Sequence, residues 1–131
     1  MPFVSSQQLS GFWEPGAYGP VVQCYPAAVA PGASIPASSS YDSGILCADG
    51  FKAIGAAIKM NQAGTLTITR YLDAAGALPQ GAPSSVAITA NTQATLNITD
   101  NLPFAYFRVQ IANSAGSVAT IANFAFLMNA A

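Results

Sequence analysis

The stretch IKMNQAGTLTITRYLD, residues 58–73, decides the fold, because two alternating runs flank a polar break at Asn61–Gly64. After the break, Leu66, Ile68 and Leu72 are apolar, and threonines or a tyrosine stand at the positions of opposite parity. Successive side chains of a strand point to opposite faces of a sheet, so this pattern predicts a half-buried strand. The polar break with its glycine is typical of a turn. The stretch therefore predicts a β-hairpin.

Arg70 interrupts the apolar side of this hairpin. By alternation it follows Leu66 and Ile68 onto the inner face. A guanidinium at that depth is costly unless it is paired or reaches the rim of the sheet. We therefore expect Arg70 to be a structural or interface cation at the rim, with Asp73 or Asp100 as its partner.

The same period of two continues along the chain from residue 44. The runs are rich in Thr, Val, Ile, Phe and Tyr, and turn signals such as ANTQ and NSAG separate them. Short strands at this spacing, without an amphipathic helix, predict an all-β antiparallel sandwich over residues 44–131. Besides Thr65–Leu72, the runs are Gly44–Met60 with a break at Asp49-Gly50, Ser85–Ala90, Ala94–Thr99, Phe104–Ala112 and Ser117–Met128.

Alternation also assigns faces to the last two runs. Phe107, Val109 and Ile111 share one face and are expected to point into the core. In the final run Phe124 and Phe126 fall on one side, and Ile121 and Leu127 on the other. This strand is therefore expected to be covered on both faces, either by a partner subunit or by the N-terminal segment.

Residues 1–43 have a different character. They hold six of the nine prolines in a segment rich in Gly, Ala and Ser, which disfavours helices and central strands. Large aromatic residues recur within it, so the segment predicts an extended N-terminal arm that docks either on a neighbouring subunit or on its own domain. The residues expected to form interfaces are Phe12, Trp13, Tyr18 and Tyr25 in the arm, together with Arg70 and Tyr106.

Composition limits the classes of partner. Only 7% of the 131 residues are charged, against about 25% in an ordinary soluble domain. Few charges and a net charge of −1 favour association with neighbours. The four basic residues are scattered, so nucleic acid is not an expected partner. No apolar run is long enough to predict a membrane span.

Few side chains are suited to chemistry. The chain has no histidine, which removes the usual Ser-His-acid and Cys-His systems. Most of the five acidic residues stand beside Gly, Ala, Ser or Asn in predicted turns, so we expect no catalytic residue, no metal site and no cofactor. Cys24 and Cys47 are too few for a metal site, and they form either a disulfide or two buried free thiols.

Two longer segments, KMNQAGTLTITRYLDAAG and ITANTQATLNITDNLPFAYFRVQIANSAGSVAT, carry a resemblance. Together with the closing strand, and over residues 53–128, the chain resembles a recurrent β-sandwich module of tailed-bacteriophage virions. The matching residues are Gln62 to Leu66, Tyr106 to Val109, Asn113 and Gly116. A Trp-containing insertion of that module is replaced here by AAGALPQGAP. The resemblance implies a jelly-roll-like fold and carries over no catalytic residue.

The sequence therefore predicts a non-enzymatic virion structural protein, either a capsid decoration protein or a head- or tail-associated protein. Expected partners are further copies of the chain, with a trimer favoured, and a major capsid or other virion protein. Its location would be the virion, assembled in the host cytoplasm. Two alternatives stay open: a glycan- or receptor-binding module of a virion fibre, and a bacterial extracellular coat or filament subunit.

Overall fold

The computed structural model describes the backbone of residues 21–23 and the whole of residues 31–129. Within these residues the regular structure consists of β-strands, and none of it is a helix able to cross a membrane. The strands are β1 Val21–Gln23, β2 Ser34–Ile35, β3 Ser40–Asp42, β4 Leu46–Cys47, β5 Ala53–Met60, β6 Gly64–Tyr71, β7 Ser84–Ile88, β8 Ala94–Ile98, β9 Tyr106–Asn113 and β10 Ala119–Asn129.

The strands form two sheets in which every pairing is antiparallel. Sheet I has the order β1-β10-β5-β8, and β2 also pairs with β10. Sheet II has the order β3-β9-β6-β7, and β4 also pairs with β9. When β1 with β2, and β3 with β4, are taken as interrupted edge strands, this is the strand order of an eight-stranded jelly roll. The predicted all-β, jelly-roll-like sandwich is confirmed.

The hairpin expected at residues 58–73 is wrong, although the turn and both strands exist. β5 belongs to sheet I and β6 to sheet II, so the two strands do not pair with each other. The connection crosses the sandwich instead: Asn61 exchanges hydrogen bonds with the backbone of Thr120, and Ala63 O accepts one from Ser114 N. Side chains alternate with a period of two whether the two strands form a hairpin or lie in different sheets. Alternation therefore predicts the strands without predicting their partners.

The core lies between the sheets and is built from the inner faces of the long strands. Phe107 of β9 and Phe126 of β10 stack with their ring centroids 5.1 Å apart and their planes at 11°. The predicted inner face of β9 is confirmed, because its apolar residues are 2% exposed or less. Leu72 is an exception to prediction: it is 50% exposed, because β6 ends at Tyr71 and the chain turns away.

The faces of β10 also differ from expectation. The register with β5 shifts between Ile121 and Asn123, so one extra residue, Ala122, sits in a β-bulge. A bulge changes the phase of alternation. Ile121 therefore points into the same core as Phe124 and Phe126, and its assignment to the opposite side was wrong. Leu127 does lie on the outer side, where it is 39% exposed.

Part of the proline-rich segment belongs to the sheets. Ile35 of β2 pairs with Ala119 and is buried, and Tyr41 of β3 pairs with Ile111. Both strands are short pieces at sheet edges, where proline is tolerated. The sandwich thus begins before residue 44. Residues 1–20, 24–30 and 130–131 lie outside the described residues, and so do Phe12, Trp13, Tyr18, Cys24 and Tyr25.

The start of β6 has no room for a side chain, and this gives a first prediction. A Cβ on Gly64 would overlap Ala112 O and crowd the Met60 side chain. We expect Gly64→Ala to lower the free energy of unfolding by about 1–3 kcal/mol through overpacking.

The measurement is urea unfolding followed by far-UV circular dichroism. The control is Gly116→Ala, where a Cβ meets no neighbouring atom and the change should stay within about 0.5 kcal/mol. Equal midpoints for the two variants would contradict the close approach at Gly64.

Candidate interaction surface

Arg70 lies at the end of β6 and is 6% exposed. Its two terminal nitrogens each donate a hydrogen bond of 2.7 Å to one oxygen of Asp100, and its Cζ lies 5.5 Å from the ring centroid of Phe104. Asp100 follows β8 and is 44% exposed, so the pair joins sheet II to sheet I at the rim. The predicted rim position and the Asp100 pairing are confirmed. Arg70 acts within the fold and leaves little surface to a partner.

Asp73, the other expected partner of Arg70, closes its own loop. Its carboxylate accepts hydrogen bonds from the backbone of Ala77 and Leu78 at 3.0 and 2.9 Å. The loop is fixed to the sandwich where Gln80 donates to Pro103 O at 2.7 Å. The loop covers the outer face of sheet II at Tyr71, which is 7% exposed. The loop therefore covers Tyr71 and leaves the rest of this outer face open.

A second ion pair lies on the outer face of sheet II. Arg108 Nε is 3.2 Å from Asp42 Oδ1, but its N–H is not aligned with any acceptor, so we treat this as a charge contact. Gln110 donates to the same carboxylate at 3.5 Å. Tyr106 lies on this face as well, half-buried and opposite Tyr71. Of the predicted interface residues that the structure describes, Tyr106 is the one with appreciable exposed surface.

Asn113, which belongs to the resemblance, has a structural role at the end of β9. It is 2% exposed, and its side-chain nitrogen donates to the carbonyls of Ile35, Pro36 and Ser117 at 2.8–3.2 Å. Its side-chain oxygen accepts from Ala115 N at 3.1 Å. One buried amide therefore joins the β2–β3 connection to the β9–β10 connection. A period-two pattern contains no signal for such a contact.

Cys47 is a free, exposed thiol in β4. Its sulfur donates to Asp49 Oδ1 at 3.3 Å. The backbone of Asp49 lowers the pKa of Cys47, but burial and the Asp49 carboxylate outweigh this and leave the pKa raised. A raised pKa reduces the thiolate fraction and so disfavours nucleophilic chemistry. In the part of the chain that the structure describes, no three His, Cys, Asp or Glu side chains group as metal ligands do.

The outer face of sheet I is different in kind from that of sheet II. The central strand β5 presents only small residues there until Lys59, and its burial alternates strictly. Across from it, Ala125 pairs with Ala57 and Leu127 pairs with Gly55. We call this the small-residue face; it comprises Ala53, Gly55, Ala57, Lys59, Thr95, Asn97, Asn123, Ala125 and Leu127.

The small-residue face carries one charged side chain, Lys59. Around Ala57 the face holds a shallow depression of about 320 Å³, which Pro31, Gln93 and Asn123 help to line. The depression exists because alanines stand side by side on β5 and β10, where bulky residues would fill the space. Because its side chains are small along β5 and it is poor in charge, this surface is a candidate site for contact with another macromolecule.

Comparison with protein-family models, curated proteins and solved structures finds no match to the chain. Fold alone does not specify function, because the same architecture serves many unrelated activities.

The Arg70–Asp100 pair predicts a specific acid sensitivity. Hydrogen bonds from Arg70, followed by one from the Leu102 backbone, lower the pKa of Asp100 to about 2 from an ordinary 3.8. Because the folded value is the lower one, the ionised carboxylate stabilises the folded state. This stabilisation is complete above about pH 4 and is lost as the pH falls to about 2.

The measurement is the thermal midpoint at successive pH values through this window. Asp100→Asn should start from a lower midpoint near neutral pH and lose this part of the acid dependence. Asp49→Asn is the matched control, because Asp49 is an exposed turn residue with φ of 52°, a conformation that Asn tolerates. An unchanged acid slope in Asp100→Asn would contradict the role of the pair.

Asn113→Ala should destabilise the fold by about 2–3 kcal/mol, because it leaves buried carbonyls and an amide without partners. Urea unfolding measures this change. Asn97→Ala, at an exposed position of β8, is the control and should shift the value by less than about 0.5 kcal/mol. Equal effects at the two sites would show that the Asn113 contacts contribute little.

Proposed function

We propose that the chain is a non-enzymatic structural protein of a virion, a capsid decoration protein or a head- or tail-associated protein that packs against neighbouring subunits. The observation that carries this proposal is the small-residue face, which is centred on the strand β5, has small side chains there and is poor in charge. The resemblance of residues 53–128 to a module of tailed-phage virions supplies the setting.

Such a face suits burial against another protein. Its central strand exposes Ala53, Gly55 and Ala57, so a partner can approach the backbone closely and bury surface without removing many charges from water. The outer face of a sheet that stays in solvent ordinarily alternates polar side chains with the buried ones. Sheet I departs from that rule along its middle strand.

The distribution of charge supports the same reading. Arg70 with Asp100 and Arg108 with Asp42 form ion pairs, and Asp73 caps its own loop. These contacts use most of the few charged groups for holding the fold together. Little is left to keep monomers apart, and proteins with few surface charges associate readily.

The expected partners are further copies of the chain, a trimer being the favoured form, and the major capsid protein or another virion protein. A glycan- or receptor-binding module is the alternative, and the observation that favours it is Tyr106. Its partly exposed ring lies on the outer face of sheet II, in the same strand as Arg108 and Gln110. Aromatic rings beside polar groups stack on sugar faces, so this is where a sugar would bind.

Native mass spectrometry of the full chain, with and without head particles from the same source that lack it, tests the proposal. We expect a mass corresponding to two or more copies of the 13.3 kDa chain, or saturable binding to the particles. A glycan array with the same protein tests the alternative. The glycan-binding role would replace the structural role if the protein is a monomer that does not bind the particles but binds a glycan. Tyr106→Ala should then abolish glycan binding.

A further inference from the structure

We infer that the small-residue face of one copy binds residues 1–20 of a second copy. This inference rests on the proposed function, since it names the surface and the partner through which copies associate. Four observations support it: the place where residues 1–20 join the sandwich, their length, the sizes of the side chains on the two sides, and the two charges.

The first observation is the position of β1. Val21 pairs with Asn129, the last residue of β10, and Gln23 pairs with Leu127. β1 runs antiparallel to β10 and lies at the edge of sheet I, so Val21 stands at the end of the sheet where β10 ends. Residues 1–20 are attached at this outer corner, from which they can reach a neighbouring copy of the chain.

The second observation is length. Twenty residues reach at most about 65 Å when extended. The eight residues of β5 span about 27 Å, and neighbouring strands lie about 4.8 Å apart. The segment is therefore long enough to leave one copy and lie along the whole small-residue face of another.

The third observation is the complementarity of side-chain sizes. Residues 1–20 contain Phe3, Phe12, Trp13 and Tyr18, each of which can bury a large apolar area. The face that would receive them has alanine and glycine at three successive outward positions of β5 and holds the depression beside Ala57. Large side chains against a surface of small ones give the close packing that a specific interface needs.

The fourth observation is charge. Glu14 is the only charged side chain in residues 1–20, and Lys59 is the only one on the small-residue face. Lys59 stands two residues from Ala57 on the same side of β5. One acid on the segment and one base on the face set a preferred position for the bound segment.

Trp13 makes this testable in the intact protein, because it is the only tryptophan in the chain. Its fluorescence reports the surroundings of the segment directly. We expect a blue-shifted emission and weak quenching by acrylamide in the unmodified protein. Ala57→Glu places a bulky anion beside the depression and should move the emission towards that of exposed tryptophan, with severalfold stronger quenching. Ala87→Glu, the same change at an exposed outer position of β7 in sheet II, should leave both unchanged.

The charge pair supplies a second, milder test. Lys59→Glu and Glu14→Lys should each increase quenching of Trp13, and the double exchange should restore it towards the unmodified value. A single surface ion pair contributes little, so the change is about two- to fivefold in the docking equilibrium. Failure of the double exchange to restore quenching, with both single variants folded by circular dichroism, would overturn the assigned contact.

Mixing copies decides which chain provides the face. One copy carries Ala57→Glu and keeps Trp13; the other carries Trp13→Phe and keeps the face. When the two are unfolded and refolded together, docking between copies protects Trp13 again, because the second copy offers an intact face. Trp13 that stays exposed in the mixture would overturn the inference and indicate docking on the same chain. Trp13 exposed in the unmodified protein would overturn it outright.

These outcomes are separable from those of the proposed function. If Trp13 is exposed but the protein still forms oligomers or binds head particles, only the binding of residues 1–20 to the small-residue face is ruled out. If the protein is monomeric and does not bind the particles, the structural role itself is ruled out, whatever the fluorescence shows.

Discussion

The stack of Phe107 on Phe126 joins the two sheets at the two strands that pair with the most other strands. β9 pairs with β3, β4 and β6, and β10 pairs with β1, β2 and β5. The last two strands of the chain are thus central, and the earliest strands are fixed at the edges beside them. Most contacts join residues distant in sequence, so neither sheet is complete until the C-terminal strands are in place.

Polar groups then secure the ends of this sandwich. Arg70 and Asp100 tie the end of β6 to the end of β8 across the two sheets. At another point Asn113 joins two connections through one buried amide. The few charged groups of this chain help to fix the geometry of the fold. A buried ion pair or amide is fully hydrogen-bonded only when its neighbours lie in one arrangement. As a result, the surface has little charge to oppose association.

The sequence predicts the strands well because alternation is local, and it fails where the outcome depends on distant residues. It places strands around Leu66, Leu96 and Phe107 within about two residues, as is usual for element boundaries. It does not distinguish a hairpin from the crossing after Met60, and it misses the extra residue Ala122 that turns Ile121 inward. It offers two acids for Arg70, and the nearer in sequence is the wrong one. The small-residue face is visible only after pairing sets alanines side by side.

The two outer faces of the sandwich are covered to different degrees. Sheet II is partly covered by the loop that packs on Tyr71, and it carries the Arg108–Asp42 charge contact. In sheet I, the strand β5 carries small side chains and one charge, Lys59, on its outer side. Removing apolar surface of this kind from water lowers the free energy. Covering β5 would remove apolar surface from water with only one charge, Lys59, to be paired or kept in contact with solvent.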